Sequence, residues 1–562
     1  MTTAPAASAT FTQLVDRHRE TLTKALAAIR SREYWTAYPE SVKAQPEGAV
    51  EAGLKAFESY LDSDFPISTP GSDGTVATER SPYGPELGVR YPRLSDVDSL
   101  LGAATAAIPS WRDAGPDVRA AVCLEILARL HARSTEIANA VMHTSGQAYP
   151  MAFQAGGPHA QDRGLEAVAY GYAEMTRHPA TATWTKPQGK RDPLVMEKRF
   201  SVVPRGIALV IGCNTFPTWN AYPGLFASLV TGNAVVVKPH PRAVLPLAIT
   251  VAVCREVLTE AGFSPDLVTL AAEAPDDKLA ATLALRPEVR IIDFTGSTAF
   301  GEWLEQNARQ AEVYTEKAGV NTIVIDSTDD YRGMLGNIAF SLSLYSGQMC
   351  TAPQNLLIPT AGISTDDGPK SFDEALADLG GALGKLLGDD ARAVGVLGAI
   401  VNDGVRGRLE NAASLGEIVV ASRTITDPAH PDAVVRTPAV VKLSAADEST
   451  FGIECFGPVA FAVATDSTAA SIDLFRRTVG ERGALTAAVY STDPAVLSSM
   501  EDAALDVGVA LSENLHGAVF VNQSAAFSDF HGTGANAAAN AALTDGAFVA
   551  GRFRVVQSRR HA

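Results

Sequence analysis

With 562 residues, 46% apolar and 19% charged, the chain is long enough for two or three domains, each around its own core. A net charge of −17 weighs against nucleic acid or an anionic membrane surface as partner and leaves a small molecule as the expected ligand. Five scattered cysteines with no Cys-x-x-Cys pair point to reduced thiols in the cytoplasm, without a disulfide framework or a metal site.

From Phe11 to about Leu61 the spacing of Leu14, Leu22, Leu26, Ile29, Leu54, Phe57 and Leu61 predicts a helical N-terminal extension over residues 1–79. Met1 to Thr10 lack the charged start and apolar core of a secretory signal. No run approaches the ~18 to 20 apolar residues of a membrane helix. The turn-rich stretch Pro66 to Gly74 reads as a connection, and helical periodicity returns from Asp96 to about Val141. The polar, alternating segment 180–199 predicts a projecting hairpin.

Beyond Phe200 short apolar runs alternate with helices: 207–211, 233–237, 267–270 and 289–294 read as buried parallel strands. This is the pattern of a doubly wound α/β sheet, here expected over residues 80–314 as a dinucleotide-binding domain. A second α/β region follows over 315–520, with strands at 322–325, 418–420 and 459–463 and a helix through Cys350. Residues 521–562 read as a return segment ending in an edge strand at Phe553 to Gln557.

Phe294-Thr295-Gly296-Ser297-Thr298-Ala299-Phe300-Gly301 lies where a strand hands over to a helix, a place suited to phosphate. Lys238, in Val237-Lys238-Pro239-His240-Pro241, ends another strand and can reach a ligand in the sheet crevice. Cys350, after Gly347 and Gln348, is expected near a helix start, where the dipole lowers a thiol pKa. A thiol nucleophile and a carboxylate base such as Glu316 are what thioester formation and hydrolysis require. Taken singly, Lys238 fits a solvated loop charge, Cys350 a buried small hydrophobe, and Glu316 or Glu454 a surface carboxylate.

Read in order, Asn214-Thr215-Phe216-Pro217, Val237-Lys238-Pro239, Gly296-Ser297-Thr298-x-x-Gly301, Glu316, Gly347-Gln348-x-Cys350 and Glu454-x-Phe456-Gly457-Pro458-Val459 resemble the aldehyde dehydrogenase superfamily over residues 80–540. Cys213 to Asn220, Lys238 to Pro241 and His531-Gly532-Thr533-Gly534-Ala535-Asn536 are similar to its branch linked to phenylacetate degradation, the PaaN and PaaZ-type proteins. The resemblance implies an α/β fold with an open cofactor domain, a catalytic domain and an oligomerisation arm. Cys350 is then the nucleophile, Glu316 the base that activates water, and the oxyanion is held by the Cys350 backbone N–H and an asparagine. Asn214 fills that last role, with Thr215, which directly precedes Phe216-Pro217, as the open alternative.

For the cofactor the resemblance assigns Gly296, Ser297 and Gly301 to the pyrophosphate turn, Lys238 to the adenosine ribose, Glu454 to the nicotinamide ribose and Phe456 to the nicotinamide. Many NAD-preferring members carry a glutamate three residues after the lysine; Pro241 stands there, so NADP is preferred with NAD left open. Lys317-Ala318-Gly319 and Asn355 depart from the family pattern around the substrate pocket. The implied reaction is oxidation of an aldehyde to a carboxylate, on a semialdehyde of aromatic catabolism that is free or linked to coenzyme A. A simple aliphatic or aromatic aldehyde, and a catalytically silent dinucleotide-binding assembly protein, are the alternatives. A homodimer or tetramer is expected, with a separate hydratase as partner because the chain ends short of a fused one.

Overall fold

Apolar runs with no polar face must be covered on both sides, and the chain covers them with helices. The structure, a computed structural model, describes residues 9–274, 276–317 and 319–562. The signal reading for Met1 to Ser8 lies outside the described residues, as does Ala318. The helical start forms α1 (Ala9–Ser31) and α2 (Ala49–Glu58), followed by the antiparallel pair β1 (Ser72–Val76) and β2 (Tyr91–Leu94). β1, Ser-Asp-Gly-Thr-Val, lies inside and beyond the stretch read as a connection, because it shows no apolar alternation.

Helices α3 (Val97–Asp113), α4 (Gly115–Ala132), α5 (Ser134–Ser145), α6 (Tyr149–Gln154) and α7 (Ala160–Met175) complete the N-terminal layer. α1 lies against α4 and α7, and α2 against α5. Ala25, Ala28, Ile29 and Phe57 are buried in the same core as the first sheet, so the extension is built into that domain.

The chain then leaves as a hairpin, β3 (Thr181–Gln188) and β4 (Arg191–Pro204), and returns as β5 (Ile207–Ile211). β5, β6 (Ala234–Lys238), β7 (Val268–Leu270), β8 (Val289–Thr295) and β9 (Glu312–Glu316) make a parallel sheet in the order β7-β6-β5-β8-β9. Helices α8 (Pro217–Val230), α9 (Leu245–Glu260), α10 (Leu279–Ala284) and α11 (Thr298–Asn307) connect the strands. The strand order reverses between β5 and β8, and such a reversal opens a ligand crevice at the carboxyl ends. β9 spans the boundary expected at 314/315 and belongs to the first sheet.

The second domain carries β10 (Thr322–Ile325), β11 (Ser327–Thr328), α12 (Tyr331–Ser343), β12 (Asn355–Pro359), β13 (Ser364–Thr365), β14 (Glu417–Val420), β15 (Thr424–Ile425), β16 (Val435–Arg436), β17 (Ala439–Ser444), β18 (Val459–Thr465), β19 (Thr486–Tyr490) and β20 (Ala510–Glu513). Its main sheet runs β14-β17-β18-β12-β10-β19-β20 and is parallel except at β14. Side chains alternate between two cores: Ile323, Ile325, Leu356 and Ile358 enter one, Val324 and Leu357 the other.

The chain finally returns to the first domain, burying Phe527, Phe548 and Val549 there. It ends as β21 (Phe553–His561) along β4 in a three-stranded antiparallel sheet, β21-β4-β3. Arg552 anchors this return: its guanidinium, fully buried, holds both Asp293 oxygens at 2.6 and 2.8 Å. Among the described residues no helix is long and apolar enough to cross a membrane.

Candidate active site

Strand pairing explains why two residues far apart in sequence meet. β10 and β12 are parallel neighbours, with Thr322 opposite Asn355, so their amino ends share one edge of the sheet. Glu316 ends β9 just before β10, and Cys350 sits in the turn just before β12. Asn321 ties the two together. Its Nδ2 donates to the carbonyls of Cys350 and Ala352 at 2.8 and 2.9 Å, while its Oδ1 accepts from the backbone of Leu485 and Thr486.

The turn before Cys350 is not the helix expected from sequence. α12 ends at Ser343, a single 3-10 turn follows, and Tyr345, Ser346 and Gly347 have φ of +53°, +51° and +63°. Non-glycine residues in this region cost on the order of 1–3 kcal/mol each and persist only where the surroundings hold them. Here Ser346 Oγ donates to the carbonyls of Leu397 and Arg436, and Gln348 donates to Tyr345 and Ala399 while accepting from Val401. A Cβ on Gly347 would lie 2.5 Å from the Gly457 carbonyl, which locks this turn to the Glu454–Val459 run.

With no helix dipole on it, the Cys350 thiol is pushed well above its ordinary range, first by burial and then by the charge of Glu316. Burial alone would raise Glu316 as well. The nearby His531, Cys350 and Asn220 outweigh it and leave the carboxyl below the usual glutamate value. Glu316 Oε2 is 3.1 Å from both His531 Nε2 and Asn220 Nδ2, and Oε1 accepts from no protein N–H among the described residues. His531 Nε2 is 3.9 Å from the Cys350 sulfur. Sulfur, carboxylate oxygen and ring nitrogen all lie within 4.8 Å of one another.

Asn214 is turned elsewhere. Its Nδ2 donates to the Thr144 carbonyl at 3.0 Å, and the Thr215 hydroxyl faces the Cys213 sulfur, which burial pushes up to about 11. Asn220, on the first turns of α8, reaches the carboxylate instead. Asn220, Asn321 and His531 were given no role from the sequence, although Asn220 and His531 both stood in quoted motifs.

Of the cofactor candidates, Lys238, Gly296, Ser297 and Gly301 lie at the carboxyl ends of the first sheet, and Glu454 and Phe456 in the second domain just before β18. β8 leads through Gly296 to α11, whose first turn has no acidic residue and whose N-cap residue, Ser297, makes no side-chain capping bond. The orphan N–H groups there suit a phosphate. Gly301 is needed for packing, since a Cβ would meet the Lys317 side chain at 2.6 Å. Lys238, at the end of β6, is ion-paired with Glu273 beyond β7; both side chains are buried, and Glu273 Oε2 accepts from Leu279 N–H at 2.6 Å. Glu454 lies near Gly319, with its carboxyl pushed to about 7 by burial, and the Phe456 ring packs beside Ile400, Val401 and Val405.

Cys350 faces a cavity of about 490 Å³. Phe216, Trp219, Phe340, Met349 and Phe520 supply apolar wall, and among the described residues no lysine or arginine lines it. Glu40, from the N-terminal extension, reaches this cavity and contacts His159 at 2.6 Å.

Comparison with known proteins bears on the family and the fold. Residues 80–531 match the family described as the aldehyde dehydrogenase family. Vanillin dehydrogenase of Pseudomonas fluorescens is 26% identical over 444 residues, 76% of this chain and 84% of that protein. A 1-pyrroline-5-carboxylate dehydrogenase of Bacillus cereus is 26% identical over 328 residues, 55% of this chain and 60% of its own. The crystal structure of an NAD-dependent aldehyde dehydrogenase from Burkholderia multivorans is 59% identical, with a TM-score of 0.96 over 98% of this chain and 99% of that one. A Thermus 1-pyrroline-5-carboxylate dehydrogenase with bound NAD, at 19% identity and a TM-score of 0.71 over 94% of this chain and 99% of that one, shares the fold.

Proposed function

The chain belongs to the aldehyde dehydrogenase family and is an oxidoreductase, and from that premise we propose that it oxidises an aldehyde to a carboxylate with NAD, through Cys350 as nucleophile and Glu316 as hydrolytic base. The observation that carries the reading is the meeting of thiol and carboxylate at an apolar cavity beside a dinucleotide crevice. The cofactor, when bound, supplies the hydride acceptor.

The protein's own part is positional and electrostatic. The Cys350 sulfur adds to the carbonyl carbon, and the Cys350 backbone N–H is assigned to steady the developing oxyanion. Asn214 joins it only if its amide leaves Thr144. Glu316 is ionised at neutral pH, and Oε1 is the acceptor for the proton of the attacking water. Gly296, Ser297 and Gly301 are assigned to the pyrophosphate turn, Lys238 to the adenosine ribose, and Glu454 and Phe456 to the nicotinamide half.

NAD is favoured over NADP by Glu273, a carboxylate paired to Lys238 from the neighbouring strand end. The absent glutamate at Pro241 had pointed the other way. The aromatic, cation-free cavity wall favours an apolar, aromatic aldehyde over an anionic one. The narrower reading, a semialdehyde of phenylacetate catabolism supplied by a separate hydratase, rests on the resemblance of Cys213 to Asn220 and of His531 to Asn536. A homo-oligomer is proposed on the exposed arm sheet.

The test is NADH formation on benzaldehyde, an aliphatic aldehyde and a coenzyme A-linked semialdehyde. Cys350→Ala is expected to abolish it on every substrate, and Glu316→Gln to allow one burst and then stop. Full steady-state turnover in either variant rejects the mechanism.

A further inference from the structure

We infer that His531 and Asn220 are positioning residues for Glu316: between them they pin one carboxylate oxygen, so that the other is presented to water at the thioester. The inference rests on the reading proposed above, with Cys350 as nucleophile and Glu316 as hydrolytic base. Its grounds are geometric. His531 Nε2 and Asn220 Nδ2 both lie 3.1 Å from Glu316 Oε2. An ionised carboxylate only accepts, so Nε2 is the ring nitrogen that carries the proton, and both groups donate. Oε1 is buried and accepts from none of the described residues, which leaves it as the oxygen open to water.

Each donor is fixed by an element of its own. Asn220 sits on α8, and its Oδ1 accepts from the Cys213 thiol at 3.6 Å, which turns the amide so that Nδ2 meets the carboxylate. Burial pushes that thiol up to about 11, so it stays protonated and remains a donor at neutral pH. His531 is buried, its backbone exchanges both hydrogen bonds with Leu543, and its ring lies edge-on to Trp219 at 4.5 Å. Arg163 on α7 fastens the loop on either side by donating to the carbonyls of Asp529 and Leu543 at 2.9 and 3.2 Å. A glutamate side chain loses rotamer freedom when it is ordered, and two donors from separate elements on one oxygen hold it to a single placement.

The clamp also keeps the base in its working form. Burial raises the Glu316 carboxyl, and His531, Cys350 and Asn220 outweigh it. The ionisable groups facing the carboxylate are His531 from the return loop, Cys350 from the turn before β12 and Cys213 from the turn before α8. Glu454 lies near the Cys350 thiol, and Lys317, next in the chain, is turned to Glu305 at 3.0 Å. In the hydrolytic step Oε1 takes a proton from water, the water oxygen bonds to the acyl carbon, and the carbon–sulfur bond breaks to release the acid. The departing thiolate recovers the proton from Glu316, which is ionised again with both donors still on Oε2.

The experiment follows the acyl-enzyme itself. Full-length protein is mixed with NAD and substoichiometric benzaldehyde, and decay of acylated Cys350 is read by mass spectrometry of samples quenched between about pH 4 and 8. Aldehyde binding then does not enter the rate. His531→Phe keeps a ring but loses the donor, and it is expected to move the acid limb of the decay profile up by at least about one pH unit. His531→Gln keeps an N–H donor and is expected to hold the limb within about half a unit of the parent. Asn220→Leu is expected to move the limb in the same direction as His531→Phe. Thermal midpoint and calorimetric NAD binding check that the variants remain folded. A loop that is merely loosened slows decay at every pH with the limb in place, and that result in His531→Phe overturns the inference. Should His531→Phe not fold, Asn220→Leu decides: a limb that rises supports the clamp, and one that stays overturns it. Failure of the underlying reading is seen separately, as a parent protein that forms no acyl group on Cys350 or as NADH formation that persists in Cys350→Ala.

Discussion

Lys238 and Glu273 meet at the carboxyl ends of neighbouring strands, and on the proposed assignment of Lys238 to the adenosine ribose their pairing sets the charge met there. The carboxylate cancels the ammonium that would otherwise draw a 2′-phosphate, and its own charge repels one. Glu273→Gln is therefore expected to raise kcat/KM for NADP relative to NAD by about tenfold, the equivalent of ~1.4 kcal/mol. Calorimetry should show 2′-AMP tightening against AMP in the same variant, and unchanged ratios in both assays would remove Glu273 from cofactor choice. Cys350, Glu316 and Lys238 each fitted a structural reading when taken singly, and only the order of the motifs around them made them candidates. Glu273, Asn220 and His531 were not candidates, because strand order and the chain's return create their proximity. Asn220 is 96 residues from Glu316 and His531 is 181 from Cys350.

At the scale of elements, β5 to β8 of the first sheet were readable as apolar runs to within about a residue, whereas in the second sheet β10, β14 and β18 were read and the interior strands β12, β17 and β19 were not. The nucleophile turn was not readable either. Apolar and small residues continue past Ser343, but Tyr345 to Gly347 are forced left-handed by contacts from Leu397, Arg436 and Gly457, all outside the local sequence. The return segment shows the same dependence on distant partners. Arg552 fastens it to β8 through Asp293 and packs over Tyr314 and Phe548. Arg552→Ala strands a buried carboxylate, and urea unfolding should report a loss of about 3–5 kcal/mol. A change under ~1 kcal/mol would mean that water or a rearranged neighbour reaches Asp293.

Across the whole molecule, the sheet β21-β4-β3 stands out because little of it is covered. Trp184, Leu194, Val555 and Val556 are all exposed large apolar groups on it. Exposed strand edges and apolar side chains of this kind invite a second chain. Truncation after Phe553, which keeps the Arg552 anchor, is expected to reduce the assembly seen by light scattering, and an unchanged mass would place the interface elsewhere. The N-terminal segment has an internal task as well: Trp35 packs edge-on to Phe527, and Arg32 lies over the Phe530 ring, so it braces the loop that carries His531.

That loop also sets a timetable. At roughly 5–20 residues per second, the ribosome delivers His531 on the order of ten to forty seconds after Cys350. The first sheet is by then complete, but β12 to β20 of the second domain are made within that interval, and the ring beside the thiol comes last. A nascent chain stalled in that interval lacks Phe548, Val549 and the Arg552 anchor of the first domain as well as the ring beside the thiol.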